Sequence, residues 1–163
     1  MKIKYKINHK IKIKYQIILF TILLIIAYSY AILFAPKIEN INDKTILGRL
    51  NKLHVSCIVP TNNKNIHKLI NKCRGKGYFI SKNKKLNDEI RKCLLTFWGL
   101  THILLFFIVG FFCPDLIIPA IFIGIMFEVY EYIKFNCEDY LDFIWNTFGL
   151  LSGYLYGQYF RNK

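Results

Sequence analysis

The arrangement of apolar residues constrains this chain most. They form four long blocks, 16–35, 93–113, 116–135 and 140–160, and the last three follow one another with almost no polar linker. Each block is close to the ~20 residues a helix needs to cross the hydrocarbon core of a bilayer. Lipid offers no hydrogen-bond partner to the backbone, so an immersed block of this kind is helical. A soluble domain of 163 residues would spread its 54% hydrophobic content over amphipathic elements instead. The sequence therefore predicts an all-α integral membrane helix bundle of about four transmembrane helices, multi-pass in the bilayer. It excludes a disordered chain and argues against an ordinary soluble enzyme. Tyr28, Tyr30, Tyr130, Tyr132, Tyr140, Tyr154, Tyr156 and Tyr159 cluster towards block ends, where amphipathic rings prefer the membrane interface.

The charge lies between the blocks and divides the chain into three parts. Residues 1–35 join six lysines to an apolar run and read as a basic lead with a signal anchor. Cleavage after Ser29-Tyr30-Ala31 is the alternative, and the length of both lead and run favours an anchor. Residues 36–92 carry fourteen Lys/Arg against Glu39, Asp43, Asp88 and Glu89, a basic extramembrane loop. Ile46, Leu47, Leu50 and Leu53, and then Ile66, Leu69, Ile70 and Cys73, fall at helical spacing within it, with Gly75 and Gly77 as a stop. Such basic amphipathic helices suit the bilayer surface, with anionic lipid head groups as partners. Residues 93–163 carry Lys134, Arg161 and Lys163 against six acids. No nucleic-acid partner is expected from the formal charge of +13. Lys, Ile, Asn and Tyr all have A/T-rich codons, so part of the lysine excess follows base composition.

Six lysines before the first block hold the start of the chain in the cytosol. That places both termini in the cytosol and residues 36–92 outside it. Cys57, Cys73, Cys93 and Cys137 then fall near the loop face, where one or two disulfides can form. Cys113 falls near the opposite face.

Polar residues inside the last three blocks carry the functional signal, because ionisable groups in a membrane are costly. Ala120, Gly124, Glu128, Glu131 and Phe135 share one helical face, as do Asp142, Asn146, Gly149, Gly153 and Gly157, and Gly99, His102, Phe106 and Gly110. Each predicted helix thus has a stripe of small residues for close packing, and its polar groups lie in that stripe. The simplest assembly packs the three stripes together. At ~1.5 Å per residue, His102, Glu128 and Asn146 fall ~9–14 Å below the loop face, with Glu131 and Asp142 within ~6 Å of it. These five are the candidate catalytic or ligand-binding residues. Glu with His can act as general acid and base, and the same set can hold a divalent cation. Two other readings stay open: a polar lock that fixes helix register, and an ion or proton path.

Thr101-His102, then Glu128-Val129-Tyr130-Glu131, then Asp139, Asp142, Asn146, Gly149 and Gly153 resemble the motifs of VanZ-like membrane proteins, a bacterial family linked to glycopeptide (teicoplanin) resistance. The resemblance covers residues 93–160. Glu131 stands where the family pattern has Gln, and the Arg usual between the second and third motifs is missing, with Lys134 at best a substitute. The resemblance implies a helical membrane bundle without an established reaction. The function expected from it is binding or processing of an amphiphilic lipid or envelope molecule at the Glu/His/Asp/Asn cluster. The alternative is a non-enzymatic membrane module that recruits a partner or anionic lipid through its basic loop.

Overall fold

A computed structural model describes residues 2–34, 45–54, 56–70, 84–135 and 140–161. Cys73, Gly75, Gly77, Cys137, Glu138 and Asp139 lie outside the described residues, as do the side chains of Glu131 and Lys134. Of the described residues 86% are helical. The long elements are α1 (Lys2–Phe34), α5 (Phe97–Phe112), α6 (Ile117–Phe135) and α7 (Tyr140–Arg161). Shorter ones join α1 to α5: α2 (Ile46–His54), β1 (Cys57–Pro60), α3 (Lys64–Ile70), α4 (Lys84–Arg91) and β2 (Cys93–Thr96).

Two expected boundaries are corrected. Helix α1 begins at Lys2, so the basic lead continues the apolar run as one helix of 33 residues. Residues 93–96, expected to open a helix, form β2 instead, which pairs antiparallel with β1 in an irregular register. A disulfide joins Cys57 to Cys93 across this pair. The helix start is displaced to Phe97 because Thr96, in extended conformation, caps it: its Oγ1 accepts from the Gly99 amide at 3.2 Å. A small two-stranded sheet therefore interrupts the all-α pattern.

One helix segment, Lys12–Tyr30, is long and apolar enough by itself to cross a membrane. A second candidate arises if α5 and the following helix, bent by 112° at the Cys113–Pro114 break, form one broken span. Helix α5 has only 16 residues, and α7 carries Asp142, Asn146, Gln158 and Arg161 along its length, which lowers its apolar character. Every long helix nevertheless presents large apolar side chains outward: Ile22 and Ile25 on α1, Leu104 on α5, Ile118, Phe122 and Met126 on α6, Phe148 and Leu155 on α7.

Helices α5 and α7 form the tightest pair, and they run parallel. Gly149 faces the Ile103 carbonyl, Gly153 the Phe107 carbonyl and Gly157 the Phe111 carbonyl, so contacts advance together along both helices. In return Gly110 faces the Leu150 carbonyl. A Cβ at Gly110, Gly149 or Gly153 would collide with that backbone, so only glycine permits this approach. The α7 stripe thus packs on the 103/107/111 edge of α5 as well as on the expected His102 face.

Helix α6 departs from the stripe-to-stripe expectation. It leaves the turn at 112° to α5, and it crosses the pair obliquely. Its Ala120 and Gly124 are buried, but Gly124 meets the Phe106 ring, at 3.1 Å from a notional Cβ, and not a backbone.

Helix α1 runs antiparallel to α5, with Gln16 beside the Cys113–Asp115 turn and Tyr30 beside Trp98. The Gln16 amide donates to Asp115 Oδ2 at 2.9 Å, and Gln16 Oε1 accepts from the Asp115 backbone N–H at 3.0 Å. Gln16 thus holds Asp115 at the turn between α5 and α6. Around this end Phe20, Val109, Cys113, Leu116, Ala120 and Leu150 form the core, with residues from all four long helices. Arg161 closes the same end by donating from Nη1 to the Phe111 carbonyl at 2.8 Å, a favourable place for a cation at a helix C-terminus.

Candidate functional site

Three of the five predicted site residues meet. His102 lies five residues into α5, Asn146 six residues into α7 and Glu128 eleven residues into α6. The parallel register of α5 and α7 sets His102 opposite Asn146, and the oblique α6 brings Glu128 against the same point. His102 Nδ1 donates to Asn146 Oδ1 at 2.9 Å. Asn146 Nδ2 donates to Glu128 Oε1 at 3.0 Å. The result is a relay across three helices, carboxylate to carboxamide to imidazole. Glutamate only accepts when ionised, so it orients the amide, and the amide oxygen then requires a proton on Nδ1. In a neutral ring Nε2 is the basic nitrogen.

His102, Asn146 and Asp142 are buried, and Glu128 is half-buried. Asp142 lies one turn before Asn146 on the inward face of α7. Glu131 lies three residues beyond Glu128 on α6, and its side chain is outside the described residues. Among the described residues no three His, Cys, Asp or Glu side chains are grouped to hold a metal ion.

The packing glycines divide by role. Gly99 gives room to the Trp145 ring, whose Cδ1 lies 3.0 Å from a notional Cβ. Gly124 gives room to Phe106 and lies one turn from Glu128. Gly110, Gly149 and Gly153 serve the α5–α7 contact, and Gly157 lies between Phe111 and the Arg161 guanidinium.

Beside the relay is a pocket of about 620 Å³, walled by α1, α5 and α6 and reached by Asn146 from α7. The size is within the range of a small-molecule or single-chain ligand site. Its walls are almost wholly apolar, with His102, Thr101 and Asn146 as the polar points. Tyr30 stacks on Trp98 at 6.0 Å, and Trp98 meets the His102 ring edge-on at 4.8 Å. Phe127 lies 6.3 Å from the same imidazole. These aromatic walls were not expected from the sequence. Trp98 and His102 are four residues apart, which is the signal that they share a face. The α1 wall had no such signal, because it is brought in from more than 60 residues away.

No family model matches the chain, and comparison with curated proteins and with solved structures finds no match.

Proposed function

We propose that this is a multi-pass, VanZ-like membrane protein in which α1, α5, α6 and α7 each cross the bilayer, and that it binds the chain of an amphiphilic lipid or envelope molecule in the pocket beside His102. The observation that carries the reading is the pairing of an apolar cavity of about 620 Å³ with a small polar patch, the His102–Asn146 pair with Thr101 beside it. Apolar walls favour hydrocarbon, and one hydrogen-bonding rung fixes where the polar part of a ligand stops. The large apolar side chains on the outer faces of all four helices support immersion, since an exposed apolar belt of this extent suits lipid and not water.

Two independent features support one orientation. The Cys57–Cys93 disulfide lies on the Trp98 side, and disulfides belong to oxidising compartments. The lysines of residues 2–14 precede Gln16, on the Asp115 and Arg161 side, and basic residues favour the cytosol. The pocket then belongs to the extracytosolic half of the bundle.

A second reading is favoured by the relay itself. A hydrogen-bonded chain through His102, Asn146 and Glu128 ties three helices together and would fix their register without any ligand. Native mass spectrometry of the protein extracted in mild detergent separates the two. The expected result is one lipid-sized adduct per chain, lost in Ala27→Phe, which fills the pocket from α1 while the fold persists. Protein that carries no adduct, or Ala27→Phe that keeps it, overturns the ligand reading and leaves the register lock.

A further inference from the structure

The geometry points to an anionic lipid, drawn from the bilayer leaflet on the Trp98 side, as the occupant of this pocket. The inference rests on the amphiphile reading above and names the class of ligand. Its first support is α2, which packs against both α1 and α5, the two helices that supply Tyr30 and Trp98. Thr45 caps α2 by accepting from the Gly48 amide at 3.0 Å. Ile46, Leu50 and Leu53 lie on one face of α2, yet they are 75%, 41% and 46% exposed. Arg49 lies at one edge of that face and Lys52 further round the helix on the same side, and both are exposed. An outward apolar stripe with cations along its edge is how a helix rests at a membrane interface, with the cations at phosphate level.

The second support is depth. His102 is five residues into α5, which is ~8 Å along the helix from its start. Beyond it the pocket is lined by Leu24, Leu105 and Ile123. A lipid seated here has its phosphate near α2, an ester or ether oxygen at the level of His102 and its chain against those three side chains. The third support is charge. Among the described residues of α2 and of the segment that leads into β2, the cations Arg49, Lys52, Arg91 and Lys92 outnumber the acids Asp88 and Glu89. A zwitterionic head group gains little from that field, whereas an anionic one gains from each cation it meets.

Tryptophan quenching by brominated lipid tests this on the full chain in bilayer nanodiscs. The chain has two tryptophans, and Trp145→Phe leaves Trp98, at the pocket mouth, as the reporter. Among the described residues the buried Trp145 Nε1 has no hydrogen-bond partner, so phenylalanine removes a polar atom at little cost. Brominated phosphatidylglycerol and brominated phosphatidylcholine are compared at equal low mole fraction in unlabelled phosphatidylcholine. The expected preference for the anionic lipid is about fivefold for each cation engaged. Arg49→Gln with Lys52→Gln reduces the preference to near one. Ala27→Phe, or Ile123→Phe from the opposite wall, reduces quenching by both lipids. Equal quenching by the two lipids that still falls on filling the pocket refutes the anionic class and leaves the amphiphile reading intact. Quenching that neither filling variant changes removes both. An anionic preference that survives the double substitution refutes α2 as the head-group site.

Discussion

The α5–α7 interface and the α1–α5–α6 wedge are built from the same apolar alphabet, yet one is closed and the other is open. Between α5 and α7, glycines lie against carbonyls of the partner helix and the backbones touch. Between α1, α5 and α6, aromatic and branched side chains hold the backbones apart, and about 620 Å³ remains unfilled on the Trp98 side. The contrast teaches how a helix bundle can make a cavity without losing its register. One pair is locked by backbone contact, a third helix is set obliquely by the 112° turn at Cys113–Pro114, and the fourth is pinned at mid-helix by Gln16 and near its end by Tyr30. The polar relay sits at the boundary between the two regions.

Breaking the closed side has the largest expected effect. At Gly153 even a methyl group collides with the Phe107 carbonyl, so Gly153→Ala forces the helices apart and costs about 3 kcal/mol or more, an overpacking penalty at the upper end of the usual range. Gly124→Ala meets the end of the Phe106 ring at 3.1 Å, a side chain that can shift into the neighbouring pocket. Its cost is about 1 kcal/mol or less. Thermal unfolding of the two variants in one detergent compares them. Equal losses would mean that the glycine contacts are no tighter than the wedge.

The relay gives the next effect. Asn146→Ala removes the donor to Glu128 and the acceptor for His102 together, two inter-helix hydrogen bonds whose loss costs about 2 kcal/mol. Glu128→Gln keeps an oxygen that can accept from Asn146 Nδ2 while it removes the charge, so its stability stays within about 1 kcal/mol of the parent. A Glu128→Gln variant as unstable as Asn146→Ala would show that the ionised carboxylate, and not the hydrogen bond, holds the three helices.

How much of this was legible in the sequence depends on the range of the interaction. The stripe Asn146, Gly149, Gly153, Gly157 is local to one helix, and its helical spacing marked the face that α7 buries. The convergence of His102, Asn146 and Glu128 was legible because short connections join α5, α6 and α7 and leave little freedom in depth. Residues 93–96 were misread as helix, since Cys-Leu-Leu-Thr is a short continuous apolar run that fits a strand or a helix equally. The pairing with β1 and the disulfide to Cys57 decide it, and five cysteines do not announce their partners by spacing. The pocket was illegible for a related reason. Beyond Gln16, helix α1 is apolar nearly all round, so its periodicity does not say which face will meet α5, and the angle of α6 depends on the Pro114 turn.

A modest effect belongs to the lower pin of α1, and it sharpens the comparison between closed and open regions. Gln16 is buried and exchanges two hydrogen bonds with Asp115, far from the pocket in sequence and at the opposite end of the bundle. Hydrogen bonds between helices in a membrane average only ~0.6 kcal/mol each, because the separated helices find other partners. Gln16→Leu should therefore lower stability by about 1 kcal/mol in total. Its more telling readout is the pocket, since α1 supplies Leu24 and Ala27 to the wall between its two pins. With the lower pin removed, α1 is held by its apolar contacts and by the Tyr30–Trp98 stack, and the wedge can change width while the α5–α7 pair stays closed. Distances between spin labels across α1 and α6, set against a pair across α5 and α7, measure this directly. The expected result is a broadened distribution for the first pair and an unchanged one for the second. Broadening of both would mean that the two regions are one cooperative unit and that the glycine contacts depend on α1.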